Sequence, residues 1–177
     1  MNEEQLVEAA RRGSSESFNQ LAGRYREGLL RFLLLRCGSR ADAEDALQDT
    51  LVNAYCYLAS YDSRWRFSTW LYRIAIRNVR RPTMRANTSV DELVDASPDA
   101  LQQCIEQSER ENLWLVARRV LSQDAYAAMW LRYAEDLPLA DIALALDRSQ
   151  AWTKVALLRA RRRLSAEFRD DKSHTIE

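Results

Sequence analysis

The chain has 177 residues, 47% of them hydrophobic, with 26 basic and 26 acidic side chains and a formal net charge of zero. That length holds one domain or two small ones, and it leaves no room for a large α/β enzyme. A charged fraction of 29% argues against a membrane protein, the apolar content against a disordered chain, and four Gly with three Pro against a turn-rich β-sandwich or barrel.

Taken in chain order, Phe18, Leu21, Tyr25, Leu29 and Phe32 recur at three- and four-residue steps, the period of an amphipathic helix that Gly38-Ser39 breaks. A second helix is expected from about Ala41 to Ala59, with Ala43, Leu47, Leu51, Ala54 and Leu58 on one face and Asp42, Asp45, Asp49 and Asn53 opposite. Tyr61-Asp62-Ser63-Arg64 reads as a loop, and a third helix follows from about Phe67 to Arg81, stopped by Pro82. Residues 85–103 are poor in large apolar groups and read as a linker. Apolar periodicity returns at Leu113 and continues through Val120, Met129 and Leu131, and the polar tail after Phe168 is expected to fray. The fold class is therefore all-α: two small helical domains joined by a flexible acidic linker.

No apolar run approaches the roughly 20 residues of a membrane span. Met1-Asn2-Glu3-Glu4 lacks the basic start and apolar core of a signal peptide, so the expected location is cytoplasmic. Cys37, Cys56 and Cys104 stand far apart without a Cys-x-x-Cys pair, and the one histidine, His174, lies in the tail. They read as reduced thiols serving as small apolar residues. No catalytic residue, metal ligand set or cofactor is expected, since a zinc site, a catalytic histidine and a Gly-rich phosphate loop all lack their residues.

Zero net charge hides segregation. Residues 61–85 hold seven arginines and one acid; residues 86–112 hold seven acids and one base; residues 148–164 hold six bases and no acid. Two basic blocks separated by an acidic stretch suggest two places that meet phosphate. In the first, Arg66, Trp70, Arg73, Arg77 and Arg80 form one helical stripe, preceded by Trp65 and Phe67 in or beside the loop. Guanidiniums that track phosphate, with rings that stack on unpaired bases at about 1–3 kcal/mol each, suit single-stranded nucleic acid. A solvated basic face with aromatics partly in the core is the alternative.

In the second block, Leu139, Ile142, Ala143 and Leu146 form a short apolar face, Asp147-Arg148 makes a turn, and Ser149 is a natural N-cap. In the helix that follows, Thr153, Leu157, Ala160 and Leu164 face inward. Ala151, Lys154, Val155, Leu158, Arg161 and Arg162 point the other way, with Arg159 on the flank. This is the layout of a helix-turn-helix whose second helix enters a major groove, or else of an ordinary helical hairpin with a basic surface. The acidic stripe Asp42, Asp45, Asp49 repels DNA and is either a solvated face or a dock for a basic protein surface.

Two strings carry a family resemblance. Asp42-Ala-Glu-Asp-Ala-Leu-Gln-Asp-Thr-Leu51 followed by Phe67-Ser-Thr-Trp-Leu-Tyr-Arg-Ile-Ala75 closely resembles the promoter-melting domain of bacterial extracytoplasmic-function (ECF) sigma factors, of the sigma-70 family of bacterial RNA polymerase. The segment 137–164 resembles their carboxy-terminal helix-turn-helix. The resemblance implies a region 2 domain over 5–85, a linker over 86–109 and a region 4 domain over 110–168. It implies that Asp42, Asp45, Gln48 and Asp49 meet core RNA polymerase, whose clamp helices and flap such factors engage. Arg64, Trp65, Arg66, Phe67, Trp70, Arg73, Arg77, Arg80 and Arg81 would bind and melt the −10 element of promoter DNA. Ser149, Trp152, Lys154, Val155, Leu158, Arg159 and Arg162 would read the −35 element.

An anti-sigma factor, often membrane-anchored, is the implied regulator, and no small-molecule substrate is implied. Arg77 stands where the family commonly has asparagine, with Asn78 one later, and Ala151-Trp152-Thr153 stands where Gly-Thr-Val is common. The competing function is a helix-turn-helix regulator that binds duplex DNA without polymerase, for which a base-stacking stripe has no use. A small helical enzyme lacks any nucleophile–base pair or metal constellation.

Overall fold

Side-chain caps set most helix starts. The computed structural model describes residues 1–80 and 109–173, with side chains described within 1–79 and 113–169. The described residues form eight α-helices and one 3₁₀ turn and no strand. The chain divides into two units, taken separately below.

In the first unit, α1 (Glu3–Arg11) precedes the helices expected from the sequence and buries Leu6, Val7 and Ala10 on one side. A capping box starts it: Asn2 Oδ1 accepts from the Gln5 backbone N–H at 2.8 Å, and Gln5 Oε1 accepts from the Asn2 N–H at 3.0 Å. It ends where Gly13 takes φ 98°, so that Gly13 N–H reaches Ala10 O at 2.9 Å and Ser14 N–H reaches Ala9 O at 3.1 Å. Ser14 then caps α2 (Ser15–Leu34), and Ser39 caps α3 (Arg40–Cys56). The helix expected to run to Ala59 stops at Cys56 and tightens into the 3₁₀ turn Leu58–Ser60, which keeps Leu58 buried. After the loop, α4 spans Phe67–Arg80; Arg81, Pro82 and nearly all of the linker lie outside the described residues.

Helix α2 packs against α1, α3 and α4, and α3 against α4. Phe32, Tyr72, Leu21, Leu29, Leu33, Leu71 and Ile76 fill the core, with the Phe32 and Tyr72 rings edge to face at 5.4 Å. Burying each large apolar side chain is worth about 1.5–3 kcal/mol. A polar seam joins α3 to α4: Asn78 Nδ2 donates to Thr50 Oγ1 and Asn53 Nδ2 to Asn78 Oδ1, each at 3.3 Å. Asn53 therefore turns toward α4 and not, as its spacing suggested, onto the acidic face.

In the second unit, α5 (Glu109–Val120) and α6 (Gln123–Tyr133) divide what the apolar periodicity presented as one run, because Ser122 caps a new helix. Trp114 meets Trp130 at 4.9 Å and Tyr126 at 5.9 Å. Then α7 (Leu139–Leu146), a turn at Asp147-Arg148 and α8 (Gln150–Ser173) complete a helix-turn-helix. The turn closes with Asp147 left-handed at φ 55° and Arg148 N–H on Ala143 O at 2.9 Å. Helix α8 runs to Ser173, past Phe168 where fraying was expected. Of the cysteines, Cys56 is exposed, not a small core residue; Cys37 is half-buried and Cys104 lies outside the described residues. No helix among the described residues is long and apolar enough to cross a membrane, and no cluster among them has the composition of a metal site.

Candidate nucleic-acid interface

The loop between the 3₁₀ turn and α4 is held from both ends. Asp62 makes a local turn, its carbonyl accepting from Trp65 N–H at 3.1 Å and its Oδ1 from Arg64 N–H at 3.0 Å. Arg64 closes the turn with Nε and Nη2 on Asp62 Oδ2 at 2.8 and 2.6 Å. That hydrogen bond holds the Asp62 carboxyl below the usual carboxylate range and raises Arg64 in turn. From the far side of the unit, Arg11 donates to Leu58 O at 3.4 Å and to Tyr61 O, and lies 5.5 Å from the Tyr61 ring centroid. Burial pushes the Tyr61 hydroxyl above the ordinary phenol range, and it donates to Trp65 O at 2.7 Å.

Tyr61, Phe67 and Trp70 form a triangle of rings with centroids 5.4–5.6 Å apart, backed by Tyr25 against Phe67 at 5.6 Å. Trp70 is half-buried: one side of the indole meets this cluster and the rest meets solvent. Phe67 is 1% exposed. It cannot stack on a base, and its expected DNA contact is corrected to that of a pillar beneath Trp70; as the first residue of α4 it turns inward, where Tyr25 and Tyr61 surround it. Trp65 is half-buried, Arg64, Arg66 and Arg77 are exposed, and Arg73 is half-buried. The Arg80 side chain and Arg81 lie outside the described residues. Asn78, one step from Arg77, belongs to the seam with α3, which leaves Arg77 as the outward side chain at that end.

Helix α8 is built differently. Ser149 Oγ accepts from Trp152 N–H at 3.1 Å, and its carbonyl accepts from the Thr153 hydroxyl at 3.0 Å. Thr153 is wholly buried, its hydroxyl satisfied within the helix, with Leu157, Ala160 and Leu164 below it. Lys154, Val155, Leu158, Arg159, Arg161, Arg162 and Arg163 are all exposed. Arg148 departs from its part in the basic block: its Nη2 bonds Asp124 Oδ2 at 2.8 Å and its guanidinium lies 5.1 Å from the Trp152 centroid. The charge is thereby compensated, and the start of α8 is braced to α6.

On α3, Asp42, Asp45, Gln48 and Asp49 are exposed, and the same surface continues to exposed Val52 and Cys56. Arg11 and Asp124 are the contributors that sequence reasoning missed; each acts on residues far along the chain, and no local signal marks it.

The family model for sigma-70 region 2 matches residues 21–88, which contain this α3 face, the loop and α4. Over 175 residues the chain is 30% identical to the ECF RNA polymerase sigma-E factor of Haemophilus influenzae, covering 91% of this chain and 92% of that one. The chain belongs to the ECF sigma factors. This is a family of transcription initiation factors. The ECF sigma factor SigW of Bacillus subtilis is 24% identical across 93% of this chain and 95% of its own. In fold, this sigma factor is similar to CnrH, solved in complex with the cytosolic domain of CnrY, at a TM-score of 0.71 and 22% identity over 94% of this chain and 96% of that one.

Proposed function

We propose that this sigma factor directs promoter-specific initiation through three surfaces. Asp42, Asp45, Gln48 and Asp49 dock on the clamp helices of core RNA polymerase, with the flap engaging the second unit. The loop at Arg64–Arg66 and the Trp70, Arg73 and Arg77 face of α4, together with Arg80 and Arg81, hold the melted −10 strand. Ser149, Trp152, Lys154, Val155, Leu158, Arg159 and Arg162 read the −35 element. Residues 5–85 and 110–168 then act as region 2 and region 4 domains on a tether of 86–109. The protein works in the cytoplasm, performs no catalysis of its own, and is held in check by a membrane-anchored anti-sigma factor; the complex of CnrH with the cytosolic domain of CnrY supports this regulation.

One observation supports the proposal above the others: Trp70 stands half-buried on a pillar of buried rings, on the helix that carries Arg73 and Arg77 and one turn after Arg66. Taking a base out of a duplex costs a few kcal/mol. A pre-set indole face returns about 1–3 kcal/mol per stacked base, and the arginines hold the adjacent phosphates. A duplex-only regulator has no use for such a face. Reconstitution with core polymerase tests this: specific transcripts and permanganate-reactive −10 thymines are expected. Trp70→Ala should retain core binding while open complex falls about tenfold or more, in line with one lost stack. A chain that shifts duplex operators alone and gives core polymerase no promoter preference overturns the proposal.

A further inference from the structure

We infer that Val155 and Leu158 read thymine C5-methyl groups in the major groove of the −35 element, an inference that rests on the sigma-factor reading above. Ala151, Val155, Leu158 and Arg162 follow steps of four, three and four, which aligns them on one side of α8. Val155 is 43% and Leu158 47% exposed, while Thr153, Leu157, Ala160 and Leu164 on the opposite side close the core. Val155 and Leu158 stand outside that core, as exposed large apolar side chains.

The surroundings of this strip select its occupant. Lys154 lies one helical turn from Leu158, and Arg159 one turn from Val155. Residues 148–166 contain no acid, and Arg148, the base nearest the turn, is the one already compensated by Asp124. An apolar strip bordered by cations fits a ligand that is apolar along its centre and anionic at both edges. The major groove offers that arrangement where thymines stand: the methyl is the apolar group displayed on the base edges, between two phosphate walls. Lysine and arginine then supply the phosphate and guanine contacts, while Val155 and Leu158 supply discrimination for thymine.

The test separates this inference from the reading beneath it. Holoenzyme made from core polymerase and the full chain selects duplexes from a library randomised over the −35 element, and each enriched thymine is then replaced by deoxyuridine, which removes only the methyl. Thymine enrichment is expected, and each contacted methyl lost should weaken holoenzyme binding about fourfold, as for one buried carbon. Val155→Ala should erase the penalty at one step and Leu158→Ala at a neighbouring step, each leaving the other penalty in place. Absence of enriched thymine, or equal affinity for thymine and uracil promoters with the wild-type chain, overturns the inference while holoenzyme still binds. Failure to bring core polymerase to any duplex overturns the sigma-factor reading and this inference with it.

Discussion

Trp70 on α4 and Trp152 on α8 are both half-buried, and both stand in the first turns of arginine-bearing helices, yet they are supported in opposite ways. Trp70 rests on Tyr61 and Phe67, which are themselves core residues backed by Tyr25 and tied to α1 through Arg11. Trp152 lies against a single guanidinium, Arg148, at the edge of its unit. A surface that must hold an unstacked base needs a ring that does not yield, so its exposed face is an extension of the core. A surface that reads an intact groove needs only side chains that project from a regular helix, and α8, held to α6 and α7 by its inward side, carries them on its outward one. The proposed function of the α4 face should therefore fail together with stability, and that of the outward α8 face without it.

The contrast is sharpest for Phe67→Ala, expected to destabilise the first unit by about 3–5 kcal/mol in urea unfolding. Leu158→Ala should stay within about 0.5 kcal/mol in the same assay, as for an exposed site; similar losses in both would break the comparison. Next in size, Arg159→Ala or Lys154→Ala should weaken holoenzyme binding to −35 DNA by about 1–3 kcal/mol per lost base contact, and by less for a phosphate contact, with unfolding unchanged. A gel shift showing no loss for either variant would remove α8 from the groove.

Arg11→Ala carries the comparison to a residue distant in sequence from the loop that it holds. Losing the guanidinium that caps the Leu58 and Tyr61 carbonyls should cost about 1–2 kcal/mol of stability. Open-complex yield should fall as the loop under Trp70 loosens, while −35 affinity is kept; unaltered permanganate reactivity would show that the loop stands without its anchor.

The smallest effect belongs to Asp62. Its carboxyl is held below the usual range by Arg64, so the closed turn is fully present above the ordinary carboxylate pKa and is lost as pH falls through the lowered value. In acid, Trp65 fluorescence should report that opening in the wild-type chain and not in Asp62→Asn, with the unfolding midpoint at neutral pH nearly equal in the two.

The inward and outward sides of α8 were legible almost residue by residue. Inward Thr153, Leu157, Ala160 and Leu164, the Ser149 cap and the outward cations all follow from a helix turning about 100° per residue, a local rule that neighbours in sequence are enough to apply. Arg148 is the exception, since its compensation comes from Asp124, 24 residues away. The α4 face and the loop before it were legible only in outline. Its stripe followed from spacing, but the resemblance gave Phe67 the same role as Trp70, and spacing gave Asn53 the same standing as Asp49.

From the sequence alone came the all-helical class, the Ser149 cap and the segregation of charge, because these depend on residue type and on contacts within a few residues. Tertiary structure alone decided that Phe67 is sealed beneath Trp70, that Asn53 joins Asn78, and that Arg11 holds a loop 47 and 50 residues further on. Contacts at such separations form only when helices pack, and no helical period encodes which ring is covered and which is left to meet solvent.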